Sequence, residues 1–183
     1  MSNNNNENNN NNENNNAKPL LKKSNSLSNL KKNYETLNKM VKKSGNNISL
    51  IESKYKQNKE LYSSKKGYLY TSQKNKNVFE LAQNQAHKKA LDQLSILQEK
   101  SILLKELIAR IKSKLKEEQM NKGELKAGIL GTGIAKSTKR LSAEKKVSDV
   151  KELLAQARLV QKQIEERIKN ATKLTKKNYY LWA

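Results

Sequence analysis

The residues able to carry chemistry are few and far apart. His87 is the single histidine, cysteine is absent, and the adjacent carboxylate pairs Glu117-Glu118 and Glu165-Glu166 complete the set. Metal capture needs several His, Cys or carboxylate ligands converging at helical or loop spacing, and His87 has no such company. One histidine without cysteine also supplies neither a Ser-His-Asp nor a Cys-His arrangement. Neighbouring glutamates on a helix point to different faces, so each pair reads as ordinary solvated surface. The one phosphate-loop candidate is Gly128 and Gly133 followed by Lys136-Ser137. A phosphate loop places its lysine directly after the second glycine, and here Ile134 and Ala135 intervene. The expectation is a protein with no catalytic residues, no metal and no cofactor.

What must be positioned, then, is an interaction surface. Leu94, Leu97, Ser101, Leu104, Ile108, Ile111 and Leu115 alternate at steps of three and four residues. On a helix that spacing gathers them into one narrow seam that packs against another helix. Counting back gives Ala90 and Ala86 at two successive steps of four, a stutter that locally unwinds a supercoil. A second seam follows in Val147, Val150, Leu154, Ala157, Gln161, Ile164, Ile168 and Ala171. Gln161 within it has two readings, a register-fixing polar residue or a solvated spot. An earlier stretch keeps the same spacing through Leu27, Leu30, Tyr34, Leu37, Val41, Ser44, Ile48, Ile51, Tyr55, Asn58 and Tyr62. The helix-breaking run Ser44-Gly45-Asn46-Asn47 does not shift its register, which favours one helix with a soft centre.

Composition agrees with this reading. Lys, Leu, Gln, Glu and Ala abound, with one Pro and six Gly, as in an all-α chain. Hydrophobic content of 34% suits elongated helices that each bury one stripe. Residues 1–16 hold twelve Asn and no apolar residue beyond Met1, so nothing repays the entropy of ordering them. The predicted organisation is a disordered Asn-rich tract and basic linker over 1–26 and a basic heptad helix over 27–62. A loop or frayed helix follows over 63–77, then a long coiled-coil helix over 78–122. A Gly-rich turn over 123–141, a second coiled-coil helix over 142–177 and an aromatic tail over 178–183 complete the chain. Ser24 or Ser26 is expected to cap the first helix. Two long helices flanking a glycine-rich turn predict an antiparallel helical hairpin, with the basic helix either packing on it or pairing with a partner chain.

Charge points to the partners. The chain carries a net +21, and residues 17–77 contribute fifteen Lys against three Glu. Lys22, Lys23, Lys31, Lys32, Lys42, Lys43, Lys65 and Lys66 form doublets expected to contact an acidic partner. Tyr34, Tyr55 and Tyr62 lie on the seam, where packing is the simpler reading, whereas Tyr68 and Tyr70 lie off it. Basic residues interleaved with aromatics make nucleic-acid binding through the 18–66 region the main alternative. A binder of acidic cytoskeletal or anionic membrane surfaces is the second. Tyr179, Tyr180, Leu181 and Trp182 read either as cover for a helix end or as a docking tail, because exposed aromatics are costly in water and common as interface anchors. No apolar run reaches the length of a membrane span and no signal-peptide core is present, so the expectation is a soluble intracellular protein, cytoplasmic or nuclear. The functional expectation is a non-enzymatic coiled-coil scaffold, adaptor or tether. It would assemble with other helical proteins or with itself, as a subunit of a larger complex.

Overall fold

The computed structural model describes residues 21–64, 73–127 and 134–176, with side chains over 21–57, 80–124 and 138–176. The Asn-rich tract, Lys65, Lys66 and the aromatic tail from Tyr179 to Trp182 lie outside the described residues. Among the described residues the chain is all-α and forms three helices: α1 (Leu27–Ser64), α2 (Gln73–Ala127) and α3 (Ile134–Leu174). At ~1.5 Å per residue, α2 alone is about 80 Å long.

Ser26 starts α1. Its hydroxyl accepts the Asn29 backbone N–H at 3.3 Å and its carbonyl accepts that of Leu30 at 3.0 Å, satisfying donors that the first turn leaves free. The helix then runs unbroken through Ser44-Gly45-Asn46-Asn47. α2 and α3 both extend further than the spacing predicts. Gly123 lies inside α2, and Ile134 to Leu141, assigned to the turn by sequence, lie inside α3. A single exposed helical glycine costs only about 1 kcal/mol, and the Glu, Leu, Lys and Ala around Gly123 offset it.

Contacts along the rod give its topology. Arg110 of α2 meets residues 22–25 ahead of α1, while Gln93 of α2 meets Ser44 and Asn47 of α1, so these helices run antiparallel. Lys122 of α2 pairs with Glu144 of α3 at 3.4 Å, and Arg167 of α3 reaches α1 at the level of Gln93. α2 and α3 are therefore an antiparallel hairpin, and α1 runs parallel to α3 along one side of it.

The core is one continuous cluster drawn from all three helices. In heptad terms, with Leu94 and Val147 at position a, the d residues Leu97, Leu104, Ile111, Val150, Ala157, Ile164 and Ala171 are 0% exposed. The a residues Ile108, Val147 and Leu154 retain 6%, 7% and 8%. Leu107, Leu153, Val160 and Leu174, all at position g and outside the predicted seams, are also buried. The difference has a simple cause. A two-helix seam needs only a and d, but a third helix laid along the g side buries that row as well. The apolar stripe is accordingly wider and displaced toward α1.

Candidate protein interaction surface

Two polar junctions fix how α1 lies on the hairpin. At mid-rod the Ser44 hydroxyl donates to Gln93 Oε1 at 2.8 Å and Asn47 Nδ2 donates to the same oxygen at 3.3 Å. Arg167 Nη1 donates to the Val41 carbonyl, and its guanidinium lies over Gly45, where a Cβ would stand 2.5 Å from Arg167 Cζ. The soft centre seen in the sequence is thus the place where α2 and α3 each send one polar side chain to α1.

The second junction ties down the segment before α1. Buried Asn33 exchanges two hydrogen bonds with Lys22, accepting its backbone N–H and donating to its carbonyl, both at 3.0 Å. Arg110 Nη2 donates to the carbonyls of Lys22, Lys23 and Ser24 at 2.7, 3.1 and 2.9 Å, and Nε donates to Asn25 Oδ1 at 2.8 Å. Leu21 packs partly buried against the core beneath this strap.

Of the lysines expected to contact a partner, Lys22, Lys23, Lys31, Lys32, Lys42 and Lys43 are exposed. Lys32, Lys39 and Lys43 recur at helical spacing on the side of α1 away from Leu37 and Val41. None of Lys32, Lys39, Lys42 and Lys43 has an ion pair among the described residues, whereas Lys56 meets Glu52 at 3.8 Å. Lys31 instead borders a groove of about 200 Å³ between α1 and α3, with Tyr34, Glu35, Asp149, Glu152, Leu153 and Gln156.

The expected seam residues Leu97, Leu104, Ile108, Ile111, Val147, Val150, Leu154 and Ile164 are buried, and Leu94, Leu115 and Ile168 are half-buried. Gln161 is half-exposed and donates to Glu165 of its own helix at 3.3 Å, so the register contacts come from Gln93 and Arg167. Ala86 and Ala90, the stutter residues, are buried. Gln93, Arg167, Arg110 and Asn33 were not singled out by sequence. Gln93 and Arg167 sit at g positions, as does Asn33 when Leu27 is taken as position a of α1, and a two-helix pattern treats g as solvent-facing.

The carboxylates serve the surface electrostatics. Lys114 holds Glu117 at 2.8 Å and Glu118 at 3.0 Å, and these bonds, Glu117 first, raise the Lys114 ammonium above its ordinary value. Glu144 is lowered by its hydrogen bond with Arg140 and by Lys122. His87 is half-exposed on α2, and among the described residues no group of three His, Cys or acidic side chains is placed to hold a metal. The element before Gly128 is helix α2, not the strand that a phosphate loop follows. Among the described residues, no helix is long and apolar enough to cross a membrane. No protein-family model, curated protein or solved structure matches the chain.

Proposed function

We propose that this chain is a non-enzymatic helical adaptor, a cytoplasmic subunit of a larger helical assembly. It docks an acidic protein surface through the outer face of α1. The observation carrying this reading is the row Lys32, Lys39, Lys42 and Lys43, exposed and without ion pairs among the described residues. These lysines span about 17 Å of helix. Elsewhere on the rod, Lys114 and Lys122 have carboxylates within reach. A row of uncompensated charge raises self-repulsion in the free chain and accelerates encounter with an acidic surface.

The test is binding of the full chain to polyglutamate, duplex DNA and anionic vesicles across a salt series, with mass followed by light scattering. Polyglutamate binding that weakens with salt and is lost in Lys32→Glu/Lys39→Glu/Lys43→Glu supports the adaptor. Tight DNA binding by the monomer with a steep salt slope, and none to polyglutamate, replaces it with a nucleic-acid function.

A further inference from the structure

Ser24 is the one serine among the described residues with non-helical backbone on both sides. It lies within the strap that precedes α1, whereas Ser26 caps the helix and Ser28 is already inside it. The Ser24 side chain is exposed, and its hydroxyl accepts only the Ser26 N–H, at 3.3 Å. Lys22 and Lys23, both exposed, stand directly before it.

Arg110 supplies a second, independent feature. Its Nε serves Asn25, and its Nη2 serves the carbonyls of Lys22, Lys23 and Ser24. Nη1 has no hydrogen bond among the described residues. One arm of the guanidinium fork therefore stays unspent beside a residue whose own carbonyl is 2.9 Å from the other arm. None of Arg110, Lys22 and Lys23 has an ion pair among the described residues, and the first turn of α1 contains no acidic side chain. The neighbourhood of this exposed hydroxyl is cationic and uncompensated.

We infer that Ser24 is a phosphorylation site for a protein kinase that selects basic residues ahead of its acceptor, and that Arg110 holds the resulting phosphate. The Ser24 hydroxyl oxygen bonds to the γ-phosphorus of ATP, held by the kinase as its magnesium complex. The bond from that phosphorus to the β–γ bridging oxygen breaks and ADP leaves, while the hydroxyl proton passes to the catalytic carboxylate of the kinase. The acceptor has to enter the kinase cleft as extended chain, and lifting the strap unwinds no helix. Presenting Ser26 or Ser28 instead opens the turn that carries Leu30, which is 0% exposed.

The phosphate brings about two negative charges at neutral pH and three acceptor oxygens. Its bonds to a guanidinium are roughly twice as strong as neutral ones. Because Nη1 is unspent, these bonds add to the carbonyl contacts of Arg110 and do not displace them. Phosphorylation thus tightens the strap onto the hairpin. It also offsets Lys22 and Lys23 at one end of the basic face of α1, which weakens docking of an acidic partner. That second effect rests on the adaptor reading, and the first does not.

The test incubates the full chain with the catalytic fragment of protein kinase C and magnesium ATP, and maps the products by mass spectrometry. Ser24 is expected to gain more phosphate than Ser26 or Ser28, and to gain it faster in Arg110→Ala, where the strap lifts more readily. In the phosphorylated parent, the phosphorus NMR resonance should titrate below the free phosphoserine value of about 6. Exchange of the Asn29 and Leu30 amides should slow at least about tenfold, the equivalent of one charge-assisted bond. Most of both changes should be lost in phosphorylated Arg110→Ala, and polyglutamate binding by the phosphorylated parent should weaken. No incorporation at Ser24, or less there than at Ser26 and Ser28, overturns the site. A phosphate that titrates and protects equally with and without Arg110 overturns its capture by that residue. Unchanged polyglutamate affinity overturns only the effect on docking.

Discussion

The guanidinium of Arg167 occupies the space that a side chain at Gly45 would fill, 2.5 Å from the position of a Cβ, while donating to the Val41 carbonyl one turn earlier. A glycine in the middle of α1 is therefore a close-approach site between α1 and α3. Its cost as a helix residue, about 1 kcal/mol relative to alanine, is offset by the bond it permits, of similar size. Gly45→Ala should thus leave stability nearly unchanged, since the flexible guanidinium moves aside and its bond is lost. With Arg167→Ala already present, the same change should stabilise by about 1 kcal/mol. A double-mutant cycle by urea unfolding measures the difference, and strict additivity of the two substitutions would show that they do not interact.

Gln93 carries the other half of that junction. Its carbonyl oxygen is the shared acceptor for Ser44 and Asn47. Truncation strands the buried Ser44 hydroxyl, so Gln93→Ala is expected to cost about 1–3 kcal/mol. Replacing both residues, Gln93→Leu with Ser44→Ala, should recover most of that loss by removing the stranded donor along with its acceptor. The recovered chain should also be less well specified. Without the polar layer, α1 can slide on the d and g rows, and broadened amide resonances from α1 alone would report it. Sharp, unshifted α1 resonances would mean that apolar packing suffices for register.

Arg110 governs the strap before α1. Because three consecutive carbonyls, those of Lys22, Lys23 and Ser24, depend on one guanidinium, Arg110→Ala should free the segment while leaving the helices intact. Tryptic cleavage after Lys22 and Lys23 should then accelerate, with cleavage at the remaining Lys and Arg sites of α2 and α3 unchanged. Arg110→Lys should protect only in part, since an ammonium lacks the planar fork that spans several acceptors. Equal cleavage rates in the variant and the parent would show that Asn33 and Leu21 hold the strap unaided.

The spacing of apolar residues alone makes the three helices and most of their buried faces legible. Leu30, Leu37 and Val41, or Leu97, Leu104 and Ile111, announce their burial through steps of three and four. What the pattern did not carry is the side on which the third helix lies. Leu107 and Val160 fall just outside a strict seam, so their burial depends on α1 covering the g side, which is a tertiary fact. The register residues were hidden for the same reason. An isolated Gln or Arg on a helix face looks solvated until the opposing backbone, here Val41 and Gly45, is brought against it. The Lys doublets are visible in sequence. That Lys32, Lys42 and Lys43 have no ion pair among the described residues depends on how α1 is set on the hairpin.

Stability against pH should be set by different groups at the two extremes. Tyr34 and Tyr55 are raised above the ordinary tyrosine value of 10.0 by burial, and Lys114 above 10.5 chiefly by its bond to Glu117. A group raised on folding stabilises fully below its unfolded value, and the contribution is lost as pH rises through the folded one. All three therefore act together, and the chain should begin to destabilise as pH passes about 10. Glu144 works in the opposite direction. Arg140 and Lys122 lower it below 4.5, so its contribution is present above that pH and lost as pH falls through the depressed value. The alkaline limb should be the steeper, because two desolvated phenols and the Glu117-bonded ammonium titrate together, whereas Glu144 is a surface carboxylate in a screened pair. Melting temperatures from pH 3 to 11 measure both limbs. Tyr55→Phe should flatten the alkaline limb, and Glu144→Gln should flatten the acid one. An alkaline limb that keeps its slope in both Tyr55→Phe and Lys114→Met would rule out these groups as its source.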